Sequence, residues 1–205
     1  MEQREARWPA LFSALGVGGL YLALPSTLTI GPTWLPLVVV AVLVIPILVF
    51  HRQGKDHLNQ IAAYVQLVVI TAWMLLSLSL LIIGMARHTE SPKMLLFSAG
   101  LLWVSNVLVF ASWYWRLDAG GPNARDRRTS HEAGAFLFPQ MTFDGDDDWS
   151  PGFVDYLFLA FNTSTAFSPT DVPVLSRWAK VLMMVQASIS LATLALLAAR
   201  AVNIL

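Results

Sequence analysis

Five stretches of this chain, residues 8–30, 34–50, 58–84, 95–115 and 179–205, run for about the length of a membrane crossing with hardly a charge in them. Nothing else in the chain constrains its fold more. In hydrocarbon every backbone N–H and C=O must find a partner within the protein, so such segments are expected as helices. Composition agrees. Of the 205 residues, 56% are hydrophobic and 13% charged, with a mean hydropathy of +0.61, against about 25% charged in soluble domains. The expected fold class is an all-α polytopic membrane protein with five transmembrane helices.

The joints are short and polar. "GPT" makes a tight hairpin between the first two segments, and "HRQGKDH" and "ARHTESPK" join the next two pairs. Trp8, Trp34, Trp113, Trp115, Trp149 and Trp178 fall near segment ends, where indoles anchor at the interface. Trp73 and Trp103 lie deeper and read as packing residues. The start, with Arg4 and Arg7 before an apolar run, mimics a signal peptide. The further apolar segments make it the first membrane helix. Gly16, Gly18 and Gly19 within it read as close-packing positions, since no strand precedes them as a phosphate loop requires. A formal net charge of zero leaves no footprint for nucleic acid. With no cysteine, disulfides, thiolate metal sites and a cysteine nucleophile are excluded.

Residues 149–180, "WSPGFVDYLFLAFNTSTAFSPTDVPVLSRWAK", break the pattern. Ser150 is a good N-cap and Pro151 suits the first helical position. From there an apolar helix of about 13 residues, about 20 Å long, is too short to cross hydrocarbon. It stops in Thr163, Ser164, Thr165, Ser168 and Thr170, with Pro169 among them and Asp171 after. Non-helical backbone at membrane depth is tolerated only where protein or water covers it. The expectation is a re-entrant half helix and a pore-loop-like hairpin before the last helix. The alternatives are an apolar soluble loop or an amphipathic helix lying on the surface. Helix C-termini carry partial negative charge, so several converging on one axis stabilise a cation.

The order of long helix, loop, short helix, hydroxyl-rich hairpin ending in Asp, and long helix resembles the pore module of tetrameric potassium-type cation channels. Their filter, T-T-V-G-Y-G-D, superposes best on residues 165–171, "TAFSPTD". Thr165 and Asp171 match the ends; Ser168 and Thr170 stand where that filter has glycines. Glycine permits the left-handed angles of a carbonyl ladder, and Pro169 fixes its own φ. The resemblance therefore implies hydroxyls and an Asp171 ring meeting partly hydrated ions. A second resemblance rests on "FASWYWRLDAGGP", "FLFPQM", "DYLFLAFNTSTAFSPTD", "LSRWAK" and "LLAARAVNIL". These resemble an uncharacterised family of bacterial integral membrane proteins carrying only a domain-of-unknown-function label. The likeness covers the C-terminal half, and the first three helices by hydropathy alone. It implies the bacterial inner (plasma) membrane and no activity.

Residues 1–92 are expected to form a peripheral three-helix bundle. Residues 93–205 would form a two-helix pore-loop-like module with a polar loop, 116–150, in which Gly120, Gly121 and Pro122 end the fourth helix. "AFLFPQM" inside the loop is apolar enough to lie on the membrane surface or against the bundle. Asp144, Asp146 and Asp148 are weak metal candidates. Trp149 takes the place of a calcium loop's glycine, so a solvated acidic patch is the plainer reading. His51, His57, His88 and His131 have no metal spacing. Asn106 and Gln186 are lone polar groups within spans, expected to hydrogen-bond to each other, to Ser188 or across subunits, with a cavity-lining role for Gln186 as the alternative. Asp155 should have a partner, Arg177 or Lys180, or face water. Short-loop Arg and Lys favour a cytoplasmic N-terminus, with the half helix entering from that side.

No nucleophile–base pair is evident, so no enzyme and no cofactor are expected. The function expected is a homotetrameric pore-loop channel in the lipid bilayer, passing small monovalent cations. Thr163, Ser164, Thr165 and Ser168 would line the constriction, Ala166, Phe167, Pro169 and Thr170 complete the hairpin, and Asp171 stands at the mouth. The alternatives are a non-conducting scaffold or accessory subunit, and a small ion-coupled transporter.

Overall fold

The computed structural model of the protein describes residues 7–87, 91–126, 134–142, 149–165 and 171–202. Among them the chain is helical: α1 (Trp8–Leu20), α2 (Leu35–Arg52), α3 (Asp56–Arg87), α4 (Pro92–Leu117), the single turn α5 (Pro122–Arg125), α6 (Phe153–Thr165) and α7 (Arg177–Val202). Four helices, α2, α3, α4 and α7, are long and apolar enough to cross a membrane. Outward residues on α2 such as Val38, Val42, Ile45 and Val49 are apolar and exposed. These features are compatible with an integral membrane protein.

The expected first span, residues 8–30, comes out shorter. Its α-helix ends at Leu20, a 3-10 turn covers Tyr21–Ala23, and Leu24 turns extended at φ −79°, ψ 145°. The cause is Pro25, whose ring clashes with a helical residue before it. A second short 3-10 turn, Ser26–Leu28, then leads towards α2. Gly18 is what seats α1 against α2. A Cβ there would stand 2.9 Å from Leu37 Cα, which is backbone and cannot swing away.

Polar contacts gather the start of α1, the end of α2, the start of α3 and the end of α4 at one end of the bundle. Asn59 Nδ2 donates to the Ile47 carbonyl at 2.7 Å, and Arg116 Nη1 to Asn59 Oδ1 at 3.3 Å. Asn123 Nδ2 donates to Asp56 Oδ1 at 2.8 Å, and Arg7 pairs with Asp126. We call this the loop end. The core runs the length of α4, whose Ala99, Leu102, Phe110, Ala111, Tyr114 and Trp115 are all buried.

Candidate functional site

The half-length helix α6 packs between α4 and α7. It starts at Phe153 and not two residues earlier as Ser150 and Pro151 suggest, so Gly152 is the N-cap. Asp155 Oδ2 accepts the Gly152 N–H at 2.8 Å, half of a capping box. The partner expected for Asp155 from Arg177 or Lys180 is thus the helix's own backbone. Burial raises the Asp155 carboxyl above its ordinary value of 3.8, the Gly152 N–H partly opposing it. A raised value means that the folded state holds the proton more tightly. Its contribution to stability is therefore greatest below the unfolded value and fades as pH rises through the folded one. Asp155→Asn keeps an oxygen for Gly152, so melting temperature should change little at the acid end and lose part of its decline towards neutrality. A melting series from pH 4 to 7 (values spanning about the carboxylate range) reads this directly.

The loop before α6 holds its first turns. Phe136 and Phe138 are buried, against the bundle as one of the two readings of "AFLFPQM" has it. Phe138 meets the Tyr156 ring edge-on at 5.3 Å, and Phe136 meets Tyr114 at the same distance. An isolated antiparallel bridge joins Phe136 to Val174: Leu137 N–H donates to Pro173 (3.0 Å), Leu175 N–H to Ala135 (2.8 Å). The stretch that leads into α7 is thereby fixed beside the stretch that leads into α6. Beneath both lies Asp118, 1% exposed, which accepts from the Tyr156 hydroxyl at 2.6 Å and from the Ala135 N–H. Arg125 Nη1 donates to the carbonyls of Trp115 and Asp118 at 2.9 and 3.0 Å, and its guanidinium lies 5.2 Å from the Tyr156 ring.

The other end of α6 enters a buried polar cluster. Gln186 of α7, fully buried, donates through Nε2 to the Ala160 carbonyl at 2.7 Å and to Ser164 Oγ at 2.8 Å, and its Oε1 accepts from the Tyr114 hydroxyl. Asn106 Nδ2 donates to Ser164 Oγ at 3.4 Å and to the Gln186 carbonyl at 3.3 Å. Ser190 donates to the Ser164 carbonyl and accepts from Trp103 Nε1 at 2.9 Å. So Asn106 and Gln186 do meet, within one subunit, while Ser188 is exposed and bonds to the Met184 carbonyl. Asn106 Oδ1 has no hydrogen-bond partner. Asn106 stands near the middle of α4, and Gln186 and Ser190 lie well inside α7. The tip of α6 therefore stops part-way along both neighbours.

Of the residues expected to line a constriction, Ser164 is buried in this cluster. Thr163 and Thr165 are half-buried and donate to the carbonyls of Leu159 and Asn162 within α6, at 2.8 and 3.1 Å. Asp171 is exposed where the chain emerges before the bridge. Ala166, Phe167, Ser168, Pro169 and Thr170 lie outside the described residues, as do Asp144, Asp146 and Asp148. Among the described residues no group of three His, Asp or Glu side chains is arranged to hold a metal. Sequence reasoning missed Asp118, Tyr156 and Ser190. The signal for the first was an acid set directly between a helix end and a glycine pair.

No family model, no curated protein and no solved structure matches this chain.

Proposed function

We propose that this chain is a subunit of a homotetrameric pore-loop membrane protein that passes small monovalent cations, with α6 as its re-entrant half helix and Asp171 at the pore mouth. One observation carries the reading. An apolar helix of 13 residues begins beside the end of α4 and the start of α7. It stops against the Asn106–Gln186 cluster part-way along both, and the chain is back beside Phe136 by Val174. A helix that ends inside hydrocarbon must cover its last carbonyls; Ser190 of the cluster does that for Ser164, and the Thr165 hydroxyl for Asn162. Asp171, exposed on the single subunit, would act as one member of a charged ring. Arg7, Arg52, Lys55, Arg116, Arg125, Arg177 and Lys180 stand at the loop end, with Arg87, Lys93 and Arg200 opposite. By the positive-inside rule the loop end is cytoplasmic and α6 enters from there.

Purified protein in liposomes should pass monovalent cations. Asp171→Asn should lower that flux by about tenfold, the lower end of what focused charge contributes to ion capture. Tight vesicles, with Asp171→Asn indistinguishable from the parent, would sink the proposal. The second reading is a non-conducting scaffold of the same fold, favoured by the Ser164 hydroxyl being consumed inside its own subunit. Fourfold particles speak for the pore, and monomers or dimers for the scaffold.

A further inference from the structure

We propose that the crevice between α1, α2, α3 and α4 is a water site, whose cluster of about three to five waters reaches Gln66 within the apolar depth of the bundle. The inference depends on membrane embedding and not on permeation.

The crevice encloses about 50 Å³, several times the roughly 10–15 Å³ that one water needs. Its inner polar group is Gln66, which is 5% exposed and makes one hydrogen bond, from Nε2 to the Val40 carbonyl at 3.3 Å. Among the described residues its Oε1 accepts none. Asn106 Oδ1 also lacks a partner, but it is sealed away from any water-sized space, and Gln66 Oε1 is not. The space that Gln66 lines is the crevice. Val40 lies about 18 Å along α2 from the terminus at Arg52, at about 1.5 Å per residue. The amide that reaches it is therefore at hydrocarbon depth, where an oxygen without a donor is costly.

The lining calls for a ligand that donates. Asn59 Oδ1 takes Arg116 Nη1 at 3.3 Å, and Ser112 Oγ donates to the Leu108 carbonyl at 2.9 Å. Both residues line the crevice, and each of these oxygens keeps a lone pair. With Gln66 Oε1 they supply the roughly 2–4 polar partners that a buried water requires. Ile47, Ala63 and Leu67 complete the wall and offer none. A lipid tail in the same space would leave all three oxygens as they are. The three are neutral, so the charge of the surrounding helix ends plays no part in the selection.

The chain has no cysteine, so a single introduced thiol reports on its own surroundings. Methyl methanethiosulfonate is small, uncharged and soluble in both lipid and water, and only a thiolate, which water must solvate, reacts with it. With the full chain in liposomes, Ala63→Cys on the crevice wall should be modified at least about tenfold faster than Val65→Cys on the exposed outward face. That factor corresponds to a thiol pKa raised by about one unit in hydrocarbon. In the Ala63→Cys background, Gln66→Leu removes the open oxygen at nearly constant volume and should slow the reaction by a similar factor. Misfolding would speed the reaction, so a slower one cannot arise from it. Ser112→Val narrows the crevice from α4, leaves Gln66 in place and should slow it too. Equal rates for Ala63→Cys and Val65→Cys overturn the site. A rate that falls with neither Gln66→Leu nor Ser112→Val overturns water held by these oxygens.

Discussion

Gln186→Leu is expected to destabilise the folded protein by about 2–4 kcal/mol, although leucine nearly matches glutamine in volume. Gln186 is fully buried, and its amide serves the Ala160 carbonyl, the Ser164 hydroxyl and the Tyr114 hydroxyl at once. Leucine leaves all three short of a partner where water cannot follow. Hydrogen bonds between membrane helices average about 0.6 kcal/mol and reach about 1.7 kcal/mol, so three lost together span about 2–5 kcal/mol, and the range stated lies within that. Ser164→Ala makes the contrast. Each amide that donates to Ser164 keeps another acceptor, Ala160 at 2.7 Å for Gln186 and the Gln186 carbonyl at 3.3 Å for Asn106. Its loss should be about 1 kcal/mol. Reversible unfolding in mixed detergent measures both. A Gln186→Leu cost no larger than that of Ser164→Ala would show that Gln186 is not the centre of the cluster.

The second large effect belongs to the loop end. Asp118→Ala removes the acceptor of two buried donors, the Tyr156 hydroxyl and the Ala135 N–H, and should cost about 2–5 kcal/mol. Gly134→Ala should do comparable damage by another route. A Cβ at Gly134 would lie 2.2 Å from Asp118 Oδ1 and 2.8 Å from its Cγ, so the carboxylate must leave both donors. Because the two changes destroy the same contacts, the double variant should cost little more than Asp118→Ala alone. Simple additivity would mean that Gly134 acts on something other than Asp118. Limited proteolysis between α5 and α6 gives an independent reading, since freeing Ala135 loosens the strand that pairs with Val174.

These two sites were not equally legible. Asn106 and Gln186 stood out as lone polar residues in apolar runs, because a polar group in hydrocarbon without a partner is costly wherever the partner comes from. Their approach within one subunit was one of several expected outcomes, beside bonding to Ser188, bonding across subunits and a cavity-lining role for Gln186. That Ser164 turns into the same cluster was not readable. The hydroxyls of 163–165 look alike in sequence, and only the 100° step between successive residues of a packed helix separates a buried Ser164 from half-buried neighbours. Asp155 drew attention for the right reason, its cost in an apolar helix, but to the wrong partner. Its partner is the Gly152 N–H, three residues back, and among the described residues no ion pair joins it to α7. Asp118 carries only its place between a helix end and a glycine pair, which does not say that it is buried, and Gly134 carries no local pattern. One is buried because a loop residue sixteen positions later folds over it.

The chain alone determined what acts along the chain. Apolar runs of membrane length specified α2, α3, α4 and α7, and the short run of 151–163 specified α6. Proline punctuation was equally local, though the break that Pro25 makes in the first apolar run became plain only with Leu24 seen extended. Tertiary structure alone decided which faces met. It set Gln186 under Ala160, Asp118 under Tyr156, and both Arg7 and Arg116 against the Trp115 ring. The physical reason is that hydropathy and backbone sterics are summed residue by residue. The cost of burying a polar group is instead settled by partners from distant segments, and those exist only once the helices have packed.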